Sequence, residues 1–135
     1  MALTSVQRVE ALLKDLGVED RVHRVTENIW SLQKGSATVQ VIVAPEFVVA
    51  TARVAERVPD VSGEGREAFF RMLLEANIEL VGAFFTLERD GSVRINQLLP
   101  IGWLQDKELA FIIGNVASRA TNWVDRLRAG AARPT

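Results

Sequence analysis

The chain has no cysteine among its 135 residues. Disulfides and thiolate chemistry are excluded, and the composition fits a reducing compartment. There is one histidine, His23. A transition-metal site would therefore have to rest on carboxylates, which suit hard ions instead. Net charge is −1, so no global basic field recruits nucleic acid or an anionic membrane. No apolar run approaches the roughly 20 residues that span a bilayer. The start, MALTSVQRVEALL, lacks a basic region followed by a continuous apolar run, and no signal peptide is expected. None of Ser5, Ser31, Ser36, Ser62, Ser92 or Ser118 sits in a nucleophile-elbow context. The expectation is a soluble, cytoplasmic protein with no cofactor, no metal and no catalytic constellation.

What is present is ordinary globular patterning at the usual size of one domain. Residues 1–130 read as a single domain and 131–135 as a frayed tail. Thr4 with Gln7 forms a capping-box pattern, which opens a helix from about Ser5 to Leu16. Val6, Val9, Leu12, Leu13 and Leu16 make its apolar stripe, and Gly17 is placed to end it. Strands are predicted over 22–26, 29–33 and 38–44, joined by the turns Glu27-Asn28 and Lys34-Gly35-Ser36. Phe47 to Val58 is a further strand candidate. Its second half, ATARVAERV, reads also as helix, but the alternation of Val48, Ala50, Ala52 and Val54 favours strand. Pro59 to Gly65 is a loop. A second helix spans about Arg66 to Ala76. A hairpin of 80–87 and 93–99 turns at Asp90-Gly91, because Asp and Gly tolerate positive φ. A third helix runs from about Asp106 to Ala129, with Leu109, Ile112, Ile113, Val116, Ala120, Trp123, Val124 and Leu127 as its stripe.

No group of polar residues reads as a site. His23 lies in a strand reading Val-His-Arg-Val, where a solvated or sheet-face histidine outweighs a base or ligand. Asp60, Glu64 and Glu67 flank a glycine-rich loop, but their spacing is not that of a calcium loop. Gly63-Glu64-Gly65 lacks the third glycine of a dinucleotide loop. Arg53 with Arg57, and Arg21 with Arg24, suggest a basic strip that acidic residues elsewhere balance. Trp123 is expected in the core and Trp103 as a lid over the start of helix three. Trp30 is open to either reading.

The second half of the chain resembles a known family. Leu73-Leu74 with Asn77 ends helix two. Gly82-Ala83-Phe84-Phe85-Thr86-Leu87, the Asp90-Gly91 turn and Val93 to Pro100 follow. Leu109 and Trp123 mark the last helix. These residues resemble the class I type III secretion chaperones, the Tir-chaperone family, and the YbjN-type proteins that share their fold. The near-neutral charge favours the YbjN-type branch. The resemblance implies an α+β fold, a twisted antiparallel sheet with helices packed on it, in the order α-β-β-β-α-β-β-α. It also implies a homodimer that holds an extended polypeptide segment of a partner, and no enzyme activity. A regulatory or scaffold dimer without unfolded clients is the alternative; a small enzyme is a third reading, weakened by the missing residue types.

Two residue sets follow. The apolar side chains of helix two cover roughly two-thirds of its circumference, too much for one sheet face. Phe69, Phe70, Met72, Leu73 and Leu74 are expected to divide between the core and a two-fold interface. For partner binding, the first strands offer Trp30, Leu32, Val39, Val41 and Val43, and whichever of these is exposed is the candidate anchor set.

Overall fold

Thr4 opens the first helix as its spacing to Gln7 predicts. In the computed structural model, which describes residues 4–16, 22–56, 63–80 and 82–132, the Gln7 amide donates to the Thr4 hydroxyl at 3.1 Å. The Thr4 amide donates to the Gln7 side chain at 3.0 Å. Two donors that the helix itself cannot satisfy are thus paired. Helix α1 runs Ser5–Asp15 and buries Val9 and Leu13. The expected stop at Gly17, the loop residues 59–62 and the end of the tail lie outside the described residues.

Strands β1 (Val22–Thr26), β2 (Ile29–Lys34), β3 (Ala37–Val43) and β4 (Phe47–Ala55) follow. They form an antiparallel meander. Four strands therefore precede the second helix, as the four strand candidates predict, one more than in the order implied by the resemblance. ATARVAERV is strand as far as Ala55, because its alternation places Val48, Ala50, Ala52 and Val54 on one buried face. Helix α2 (Gly63–Ala76), a 3₁₀ turn (Asn77–Leu80), β5 (Phe84–Leu87) and β6 (Val93–Pro100) come next. A second 3₁₀ turn (Ile101–Trp103) leads to helix α3 (Asp106–Ala132). The sheet order is β1-β2-β3-β4-β6-β5, and the pairing is antiparallel throughout.

Strand β5 is shorter than its apolar pattern suggests. The chain winds through the 3₁₀ turn to Leu80 and then bends at Gly82, whose φ is +83°. A Cβ at Gly82 would also stand 3.0 Å from the Gln97 Nε2. Gln97 is buried and accepts from the Asn115 amide at 2.8 Å, which ties β6 to α3. Gly82→Ala should therefore cost about 1–2 kcal/mol from the left-handed backbone alone, and more from displacing Gln97. The expected result is a lower urea midpoint with an unchanged slope.

Helices α1 and α3 lie on one face of the sheet. Helix α3 packs on β2, β3, β4 and β6, and α1 packs on α3 and β3. The core beneath them joins Trp30 and Leu32, Val39, Val41 and Val43, Val48 and Ala50, and Val93 and Ile95 to the stripe of α3. Trp123 is buried against Phe85 in an edge-to-face pair with ring centres 5.1 Å apart. Leu73, Ala76 and Leu80 enter the same cluster.

Candidate interaction surfaces

The candidate polar residues do not come together among the described residues. His23 is exposed on β1. Glu64 and Glu67 are exposed in the first turns of α2, which begins at Gly63 and so turns the expected Gly63-Glu64-Gly65 loop into helix. Asp60, Arg21 and Arg57 lie outside the described residues. No group of three or more acidic residues and histidine is placed to hold a metal ion among the described residues. A hollow of about 850 Å³ lies between the ends of β3 and β4 and the helices α2 and α3. Its serine, Ser36, is within hydrogen-bond distance of the Thr121 hydroxyl and not of a base. Among the described residues no helix is long and apolar enough to cross a membrane.

The interaction surfaces are better defined. Strand β1 is one edge of the sheet and pairs only with β2 among the described residues. Four of its five side chains are exposed, Val25 among them at 55%. Arg24 braces this edge. Its guanidinium stands 3.4 Å from Glu10 of α1, donates to the Glu27 carbonyl at 2.6 Å and lies over the Trp30 ring. These contacts hold the strand in place while its outer backbone groups remain available for pairing.

The five candidate anchors do not share that exposure. Trp30, Leu32, Val39, Val41 and Val43 are all buried. They point to the inner face, where α1 and α3 cover them, so none is left to touch a partner. The reason is alternation: strand residues two apart share a face, and this parity is the one the helices occupy. Trp103 is a second correction. It is 69% exposed and does not cover the helix start, because the 3₁₀ turn Ile101–Trp103 directs it outward and Leu104 fills the inner position.

The five apolar residues singled out on helix α2 differ in exposure. Leu73 is core and contributes nothing to an outer surface. Phe69 and Met72 lean on the core. Phe70 is half-buried and Leu74 is 70% exposed. Ile78, four residues on in the 3₁₀ turn, is 89% exposed and was not in the expected set. Its signal was present, since Phe70, Leu74 and Ile78 stand at helical spacing. The turn is anchored rather than loose. Asn77 accepts the Phe85 amide at 2.9 Å, and Glu79 pairs with Arg126 of α3 at 3.6 Å.

Comparison with known proteins agrees with this architecture. The model of the family YbjN, described as "Putative bacterial sensory transduction regulator", matches residues 5–129. No protein of curated function matches. Among solved structures, a chain of the ExsC-ExsE complex superposes with a TM-score of 0.67 at 20% identity, over 93% of this chain and 96% of that one. YbjN of E. coli, described as a putative transcription regulator, gives 0.66 at 12% identity over 95% and 96%. The complex of the Yersinia pestis type III secretion chaperone SycH with a fragment of YscM2 gives 0.62 at 17% identity over 89% and 99%. At these identities the likeness establishes the fold.

Proposed function

The chain belongs to the YbjN family, and from that premise we propose that it is a non-catalytic, dimeric module that holds an extended segment of a partner protein. One observation carries the reading. Strand β1 is an edge with exposed side chains and an unpaired outer backbone among the described residues. An extended peptide added there gains backbone hydrogen bonds with little demand on its sequence. The similar ExsC-ExsE and SycH structures are themselves complexes with another protein, which supports a partner here. The anchors differ from the expected ones. Val25 and the stems around Arg24 border the edge, whereas Trp30 to Val43 support it from beneath.

The dimer is the second part of the proposal. Phe70, Leu74 and Ile78 stand at helical spacing, the last two strongly exposed, a patch that a two-fold copy of itself would cover. The family description supports one variant of this reading, in which the same dimer regulates a folded partner instead of holding an unfolded one.

The test is to capture partners from the native host, define the bound segment by limited digestion and follow amide exchange in the complex. The expected result is a segment unfolded when alone, with slowed exchange at residues 22–26. A bound partner that is folded alone favours the regulatory variant. Exchange at 22–26 as fast in the complex as in the free protein removes the edge from the proposal.

A further inference from the structure

The sheet face turned away from α1 and α3 carries a partly exposed apolar row that stands outside the hydrophobic core of the described residues. In register, Ile29 stands opposite Ile42, Ile42 opposite Val49, and Val49 opposite Leu98. One residue each comes from β2, β3, β4 and β6. Phe47 lies beside the row, two residues before Val49. None of the five packs against the hydrophobic core. Phe47 is 37% exposed and Leu98 43%.

The neighbouring row is polar from Ser31 and Gln40 to Thr51 and Asn96, the last two buried among their neighbours, and it ends on Phe84 of β5. The row beyond it sets Arg53 directly opposite Arg94. Like charges across adjacent strands repel. Asp90 supplies one carboxylate, 3.8 Å from Arg53. Its acidity is raised by the Ser92 side chain and amide, then by the two arginines, which hold it below the usual carboxylate range. Among the described residues Arg94 donates to the Thr51 hydroxyl at 3.4 Å and forms no ion pair. Two cations share one anion, and no Asp or Glu stands on the three rows. The face is apolar at one end and carries the Arg53–Arg94 pair at the other, with Asp90 beside Arg53 and Glu88 beside Thr86 at the rim.

We propose that this face docks an amphipathic helical segment of a partner protein, with an apolar stripe at one end and carboxylates at the other. The stripe seats on Ile42, Val49 and Leu98, and the carboxylates reach Arg53 and Arg94. Three considerations select that occupant. The interior strands β2, β3, β4 and β6 have neighbours on both sides, so the face offers side chains and no free backbone. A helix satisfies its own backbone and presents one stripe. Along a strand, Phe47 to Arg53 spans about 20 Å, which a helix of about 13 residues covers. Across four strands the width is about 14 Å. The resulting patch, on the order of 300 Å², is well below the roughly 800 Å² per partner of a stable interface. A second copy would also bring a second Arg53–Arg94 pair and no carboxylate on the three rows to meet the first. This site is separate from the β1 edge and stands whether or not that edge binds a segment.

The test uses two synthetic 14-residue helical peptides with the same leucine stripe, one ending in glutamates and the other in lysines. Each is titrated into the full isotope-labelled chain. The glutamate peptide should shift the amides of Ile42, Val49, Arg94 and Leu98 and bind at least tenfold tighter. Leu98→Asp should weaken it tenfold or more. Arg53→Glu with Arg94→Glu should reverse the preference; Arg53→Gln with Arg94→Gln should abolish it, and serves if the reversal costs the fold. Equal affinity for the two peptides, no binding of either, or shifts confined to other strands would overturn the proposal. A halving of the protein's mass on Leu98→Asp would overturn it too, by assigning the face to a second copy.

Discussion

Trp123→Ala should remove about 3–5 kcal/mol of stability, a large share of the roughly 5–15 kcal/mol that holds a domain of this size. The indole is 2% exposed. It meets the Phe85 ring edge-on at 5.1 Å, and the Arg126 guanidinium covers its face at 3.8 Å. Arg126 in turn pairs with Glu79. One side chain thus connects α3 to β5 and to the turn after α2. Deleting it leaves a cavity that these three elements cannot close together. Urea unfolding followed by far-UV circular dichroism measures the loss. Trp123→Phe, which keeps an aromatic edge for Phe85, should recover more than half of it. A loss below about 1 kcal/mol for Trp123→Ala would show that the ring is not packed as described.

The second large effect concerns assembly. Leu74→Asp combined with Ile78→Asp should convert the proposed dimer to a monomer and raise its dissociation constant at least a hundredfold. The symmetry doubles every change, so two substitutions place four carboxylates in one apolar patch, where burying an unpaired charge is costly. The fold of each chain should survive, because the two side chains are 70% and 89% exposed. Leu73→Asp makes the contrast: it is buried and should unfold the chain instead. Light scattering at micromolar concentration separates the outcomes. A monomer mass for the unaltered protein would refute the dimer directly.

Features governed by local spacing were readable before the structure. Thr4 and Gln7 predicted a cap that forms. The Asp90-Gly91 turn and the stripe of α3 predicted an antiparallel hairpin and a long helix, and both are present. Features governed by which face meets which helix were not readable. Val39, Val41 and Val43 announce a face by their alternation, but nothing in that alternation says the face is covered. Ile42 was visible as an apolar residue of the opposite parity. Its alignment with Ile29 and Val49 follows the meander, but the addition of Leu98 depends on β4 pairing with β6, and these strands are separated by α2 and β5. Trp103 was misread because a proline-glycine approach to a helix suggests folding back, whereas the 3₁₀ turn directs the indole outward. The demand for glycine at position 82, just before β5, is held partly in Gln97, a residue on another strand that leaves no room for a Cβ.

The placement of β6 between β4 and β5 has a consequence for synthesis. Strand β4 ends at Ala55 and β6 begins at Val93. At ~5–20 residues per second, the ribosome takes about two to eight seconds to supply the missing neighbour. During that interval the emerging meander presents the edge of β4 unpaired, and β5 exists before the strand it pairs with. The nascent chain is therefore open to mispairing with other nascent chains at the middle of its future sheet, not at its final border. Slowing translation between the codons for Ala55 and Val93 should lengthen that exposure and lower the soluble yield. Slowing it after Pro100 should not.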